Sequence, residues 1–157
     1  MAYSEKIKKR LCEYLNGEHW PYTFDEELEA FRSGIRLKGA LTRCDLVIHV
    51  QTNCYAVYAI PDLSADQNNL PAVAEFLHRA NYNLRYGSFE LDLRDGEIQY
   101  KMLVDCGDDC DCLPSDSVIA RSLLIPANAI EDHCNGLLGV LLGLMTPEEA
   151  IQKSEAE

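Results

Sequence analysis

Residues 70–104 read LPAVAEFLHRANYNLRYGSFELDLRDGEIQYKMLV, and this stretch decides the fold because two hydrophobic periods meet in it. In its first half Leu70, Val73, Leu77, Ala80 and Leu84 recur at alternating spacings of three and four, with Ala74 widening the stripe and Glu75, His78 and Arg79 off it. That is the spacing of a helix with one buried face. Asn68 and Asn69 can accept from the free N–H groups of the first turn, Pro71 is tolerated there, and Gly87 can end the segment with a positive φ. After Gly87 the period becomes two: Phe89, Leu91 and Leu93 alternate with Ser88, Glu90 and Asp92, as in a half-buried strand. Asp95-Gly96 is the pair that a two-residue type I′ turn asks for, so Arg94 is expected opposite Glu97. Leu93 is then expected opposite Ile98, Leu91 opposite Tyr100 and Phe89 opposite Met102.

Outward from this unit, residues 45–51 and 54–60 are two β-rich runs joined by Thr52-Asn53. The simplest pairing sets Val50 against Tyr55, Ile48 against Val57 and Leu46 against Ala59. The other face, Val47 against Tyr58 and His49 against Ala56, is not polar, so both sides of this hairpin should be covered. Phe31, Ile35 and Leu37 alternate with Arg32, Gly34, Arg36 and Lys38, giving a strand with one apolar and one basic face. The basic stripe could engage an acidic ligand, but a solvated edge face or a partner for the chain's own carboxylates is the preferred reading.

A first helix is capped by Ser4 and buries Ile7, Leu11, Tyr14 and Leu15; its Lys6, Lys8, Lys9 and Arg10 read as a solvated face. Trp20, Tyr22 and Phe24 around Pro21 lead into Asp25, Glu26, Glu27 and Glu29 and suit an extended connector. After residue 104 an acidic cysteine loop precedes a helix opened by Ser115 or Ser117 and interrupted at Pro126. A second segment over 127–145 carries Ile130, Cys134, Leu137, Leu138, Leu141, Leu142 and Met145. Thr146-Pro147-Glu148-Glu149 is a capping box that opens a short last helix. The expectation is one domain of α+β class, a five-stranded antiparallel sheet with helices packed on it, in the order α-β-β-β-α-β-β-α(α).

The residues of 73–102, VAEFLHRANYNLRYGSFELDLRDGEIQYKM, and the ending LLGVLLGLMTPEEAI are similar to those of the YbjN-like family. The resemblance rests on Asn81, Gly87, Phe89-Glu90, Asp92, Asp95-Gly96 and Thr146 to Ile151. It implies the fold of type III secretion chaperones and a small, acidic, dimeric bacterial protein, a regulator of sensory transduction or a binder of other polypeptides. It supplies no catalytic residues to carry over, and the cysteine cluster has no counterpart in it.

Composition narrows the function. With 26 acidic against 14 basic residues the formal net charge is -12, which opposes nucleic-acid binding because that rests on Lys and Arg meeting phosphates. No signal-peptide core begins the chain, and the longest apolar run, 137–145, is too short to span a bilayer, so a cytoplasmic location without membrane attachment is expected. Seven cysteines, an odd number scattered through predicted elements, point to reduced thiols.

Cys106, Cys110 and Cys112 lie among Asp105, Asp108, Asp109 and Asp111, and three sulfurs with a carboxylate could bind tetrahedral zinc. Structural zinc usually takes two separated ligand pairs, and the negative surroundings should raise the thiol pKa values, so an ordinary acidic loop is preferred. His19, His49, His78 and His133 form no metal or nucleophile motif, the glycines form no phosphate loop, and neither enzyme chemistry nor a cofactor is expected. Gly136, Gly139 and Gly143 could instead allow close helix contact. The expected function is a non-catalytic, chaperone-like regulatory module, a homodimer binding an unidentified polypeptide. The alternative is a metal- or thiol-dependent protein built on the cysteine loop. Val47, Tyr58, Leu137, Val140, Leu141 and Leu144 are the expected partner or dimer surface, since their apolar area exceeds what one chain should cover.

Overall fold

Ser4 caps the first helix as its sequence suggests, its hydroxyl accepting from the Ile7 N–H at 3.3 Å, and Ile7, Leu11, Tyr14 and Leu15 are buried. The computed structural model describes residues 3–156. Its elements are α1 (Glu5–Gly17), β1 (Thr23–Asp25), β2 (Ala30–Arg36), β3 (Arg43–Val50), β4 (Cys54–Pro61), α2 (Leu70–Asn81), β5 (Ser88–Leu91), β6 (Ile98–Asp105), α3 (Asp116–Leu141) and α4 (Pro147–Ala156). The strands form one antiparallel sheet in the order β1-β2-β3-β4-β6-β5.

The sheet thus has six strands where five were expected. The extra one is β1, in the stretch read as a connector: Phe24 pairs with Phe31, their rings 4.8 Å apart. The acidic run after it is a hairpin turn. The Asp25 carboxylate accepts from the Glu27 and Leu28 N–H groups, each at 3.1 Å, and Glu29 takes a positive φ. A three-residue edge strand is too short for its alternation to stand out from an extended coil.

The hairpin of β3 and β4 has the expected register, with Val50 opposite Tyr55, Ile48 opposite Val57 and Leu46 opposite Ala59. The hairpin of β5 and β6 does not. Leu91 pairs with Ile98 and Phe89 with Tyr100, a slip of two residues that preserves both faces because side chains alternate with period two. The turn is a four-residue loop: the Asp92 N–H donates to Glu97 and the Gly96 N–H to Asp92. Only Gly96 (φ 80°) has a positive φ, so Asp95 is spared the left-handed conformation that a type I′ turn would impose. The Asp92 carboxylate holds the loop, accepting from the Arg94 N–H at 2.9 Å and from its guanidinium.

Helix α2 buries Val73, Phe76, Leu77 and Ala80 but ends at Asn81, short of Leu84. Its start is held by Asp66, whose carboxylate accepts from the Asn68 and Asn69 N–H groups, and not by an asparagine side chain on the first turn. Gly87 has the expected positive φ, and a Cβ there would stand 2.3 Å from the Lys101 carbonyl oxygen.

Helix α3 runs unbroken through Pro126, against the expected interruption. A proline inside a helix loses one hydrogen bond and costs about 3 kcal/mol or more, but Pro126 is buried and its turn is bound to the sheet. The Ser122 hydroxyl donates to the Ile119 carbonyl at 2.7 Å and lies 3.0 Å from the Tyr55 hydroxyl of β4. Burial pushes that phenol up to about 12. The α3 terminus is a Schellman motif on Gly143 (φ 68°), with Gly143 N–H donating to Val140 and Leu144 N–H to Gly139. The capping box then opens α4: Thr146 N–H donates to Glu149 at 2.9 Å and Glu149 N–H to the Thr146 hydroxyl at 3.2 Å. Gly136 permits the close approach of three helices, since a Cβ there would meet Ser154, Ala150 and Phe76 at about 3 Å.

The core lies between these helices and one sheet face, where Phe31, Leu46, Ile48, Val57, Ile98 and Tyr100 are fully covered. Helix α3 packs on β4 and β6, and α2 on β5.

Candidate functional site

Alternation puts the remaining side chains of each strand on the opposite face, which no helix among the described residues covers. One cross-strand row spans all six strands: Thr23, Arg32, Val47, Tyr58, Lys101 and Ser88 are successive partners. Val47 and Tyr58, singled out from the sequence, therefore sit side by side at the middle of an open sheet face, both half-buried. Leu103, in the next row opposite Ala56, is 56% exposed. The Lys101 ammonium lies 5.7 Å from the Tyr58 ring centroid and 3.6 Å from a Glu90 carboxylate oxygen.

Toward β2 the face becomes basic. Arg32 and Arg36 project from β2, Arg36 is paired directly with Arg43 of β3, and Gly34 between them is paired with Asp45. The Arg43 guanidinium occupies the space a side chain at Gly34 would fill, since a Cβ there would be 2.6 Å from its Nη2. These residues, with Thr23 and Val47, line an open cleft of about 850 Å³. Two carboxylates reach these arginines in long ion pairs, Asp25 at 3.7 Å from Arg32 and Asp45 at 3.7 Å from Arg43, and Glu97 also lines the cleft.

The other candidate residues fall elsewhere. Leu137 and Val140 are each 2% exposed, so the expected surface loses them to the core, because the Gly136 contact draws this part of α3 under α2 and α4. Leu141 is half-buried and Leu144 is 75% exposed, at the α3–α4 corner with the exposed Leu142. The exposed members of the set thus fall on two surfaces, the sheet face and the helical corner.

The cysteine loop is folded down onto the β3–β4 turn. Cys106 and Cys110 are buried and only Cys112 is exposed. The Cys106 N–H donates to Asn53, and the Cys110 thiol lies 3.2 Å from the Thr52 carbonyl and 3.1 Å from the Ser4 hydroxyl. Burial pushes the Cys106 thiol up to about 11, and the nearby Asp105 carboxylate adds to the rise. No group of three or more His, Cys, Asp or Glu side chains able to hold a metal is gathered among the described residues. The loop plugs one end of the sheet.

Comparison with known proteins agrees with this architecture. A family profile described as "Putative bacterial sensory transduction regulator", YbjN, matches residues 8–121. The chain belongs to the YbjN family. Among solved structures it is similar to that described as "YbjN, a putative transcription regulator from E. coli", with a TM-score of 0.60 and 14% identity over 85% of this chain and 96% of that one. At that identity the likeness speaks for the fold alone. No curated protein matches the chain. Among the described residues, no helix is long and apolar enough to cross a membrane.

Sequence reading found Arg32 and Arg36 of the basic stripe, whose Lys38 lies beyond the end of β2, and the Val47/Tyr58 pair, but missed that Arg43 joins the stripe and that Leu103 stands in the row beside the pair. The signal for Leu103 is present in Gln99, Lys101, Leu103 and Asp105, where one apolar residue stands in an otherwise polar alternation.

Proposed function

We propose that this YbjN-family chain is a non-catalytic regulatory module that holds a partner polypeptide against the open face of its sheet. The observation that carries the reading is the row Val47–Tyr58, with Leu103 beside it: apolar side chains on a broad face that the chain's own helices leave uncovered. An uncovered apolar strip flanked by Arg32, Lys101 and Glu90 has the make-up of a protein-binding surface, apolar at its centre and polar at its rim. A regulatory role is what the descriptions of the family and of its E. coli relative have in common. The chain acts as a homodimer joined through Leu141, Leu142 and Leu144, which leaves the open sheet face of each copy free. Burial of this apolar corner on two copies favours association at about 25 cal/mol per Å² before the entropy of association is subtracted.

The test is photo-crosslinking in cells. Benzoylphenylalanine in place of Tyr58 should capture a polypeptide other than this chain, identified by mass spectrometry, and the same probe in place of Tyr82, on the helical side and 89% exposed, should not. Equal capture at both positions, or none at Tyr58, rejects the reading.

A further inference from the structure

Resting on that reading, we propose that the arginine line Arg32–Arg43–Arg36 on the open sheet face binds an extended acidic segment of the partner, one with carboxylates on alternate residues. The line is built from two strands. Arg32 and Arg36 share a face of β2, and Arg43 of β3 lays its guanidinium over Gly34, halfway between them. Three positive charges thus follow β2 in steps of two residues, roughly 7 Å each at the rise of a β-strand. An extended peptide presents every second side chain at the same repeat, so an acidic residue at alternate positions meets an arginine each time.

The chain holds these charges together at a cost. Like charges directly opposite one another in a sheet are destabilising, and Arg36 and Arg43 are register partners. In a chain with 26 acidic and 14 basic residues, carboxylates to relieve them are plentiful, yet Arg32 and Arg43 have only long, solvent-accessible ion pairs of 3.7 Å, with Asp25 and Asp45, and Arg36 has no ion pair among the described residues. Contacts of that length in water contribute little and are readily exchanged. A guanidinium is suited to bidentate bonding with a carboxylate, and the glycine at 34 clears the floor on which the central one lies flat. The half-buried Val47 beside the line gives the segment an apolar wall.

Fluorescence anisotropy with the full chain tests this, using labelled peptides of equal composition, Asp-Ser-Asp-Ser-Asp-Ser-Ser and Asp-Asp-Asp-Ser-Ser-Ser-Ser. The alternating peptide should bind about tenfold tighter than the blocked one, and Arg36→Gln or Arg43→Gln should each weaken it about tenfold. Gly34→Ala should weaken it with the charge unchanged. Circular dichroism and melting midpoints certify each variant's fold, and the two exposed arginine variants suffice if Gly34→Ala does not fold. Equal binding of both peptides, indifference to the arginines, or tighter binding of tripolyphosphate or of an oligonucleotide of matched charge overturns the proposal. So does self-association of the wild type that Arg36→Gln abolishes, which would make a second copy the occupant. If capture at Tyr58 persists while the peptides fail, the acidic preference falls and the polypeptide-binding reading stands; loss of both rejects both.

Discussion

The Asn81 side chain makes to Phe89 both hydrogen bonds that a further strand would make. Its Nδ2 donates to the Phe89 carbonyl at 2.9 Å, and its Oδ1 accepts from the Phe89 N–H at 2.7 Å. Phe89 sits on β5, the sheet edge, so the end of α2 closes an edge otherwise open to pairing with another chain. Asn81→Ala should lower stability by about 1–3 kcal/mol, the cost of stranding a partly buried donor and acceptor. Urea unfolding measures it, and an unshifted midpoint would deny the clamp its role.

Gly96 and Gly143 separate conformation from contact. Both have positive φ, but a Cβ on Gly96 would stand 1.9 Å from the Ala65 carbonyl oxygen, whereas at Gly143 nothing lies within 4 Å. Gly143→Ala should therefore cost about 1 kcal/mol, from backbone conformation alone. Gly96→Ala should cost at least about twice that. Equal losses in thermal unfolding would show that Ala65 simply moves aside.

Thiol reactivity should follow burial. Burial pushes Cys44 and Cys106 up to about 11, so both stay protonated near neutral pH, whereas Cys112 is exposed. Iodoacetamide at pH 7.5 should label Cys112 first, with Cys44 and Cys106 labelled only on unfolding. Peptide mass mapping over time gives the order, and early labelling of Cys106 would mean the loop opens.

Stability should decline in alkali. Tyr55 is raised by burial from 10.0 to about 12, so between these values the unfolded chain releases a proton that the folded chain keeps. The Tyr55 contribution is complete below pH 10 and falls through this window by up to about 3 kcal/mol. The thiols Cys44 and Cys106, raised from 9.0 to about 11, start the decline earlier. Tyr55→Phe should flatten the upper part of the stability–pH curve, and an identical slope in the variant would contradict the assignment.

Light scattering at micromolar concentration should give twice the 17.7 kDa chain mass. Leu144→Glu should move it toward the monomer and Tyr58→Glu should not. The reverse pattern would place the dimer contact on the sheet face.

What the sequence determined by itself is local. The Ser4 cap, the Thr146–Glu149 box, the positive φ of Gly87 and Gly96, and the register of β3 on β4 all follow from side chains within a few residues of one another, where period and capping chemistry leave one answer. Family membership was legible for the same reason, in the helix, strand and turn signals around 73–102. Tertiary structure alone decided the rest. The β5–β6 register depended on Gly96 fitting against Ala65, a residue 31 positions earlier. Helix α3 crosses Pro126 because packing on β4 outweighs one lost hydrogen bond. Leu137 and Val140 look like surplus apolar surface in one dimension and are core in three, since Gly136 lets α2 and α4 close over them. The arginine line belongs to no single stretch. It exists only where β3 is paired with β2, because a side chain's charge is written in the sequence but its neighbours across a sheet are set by which strands meet.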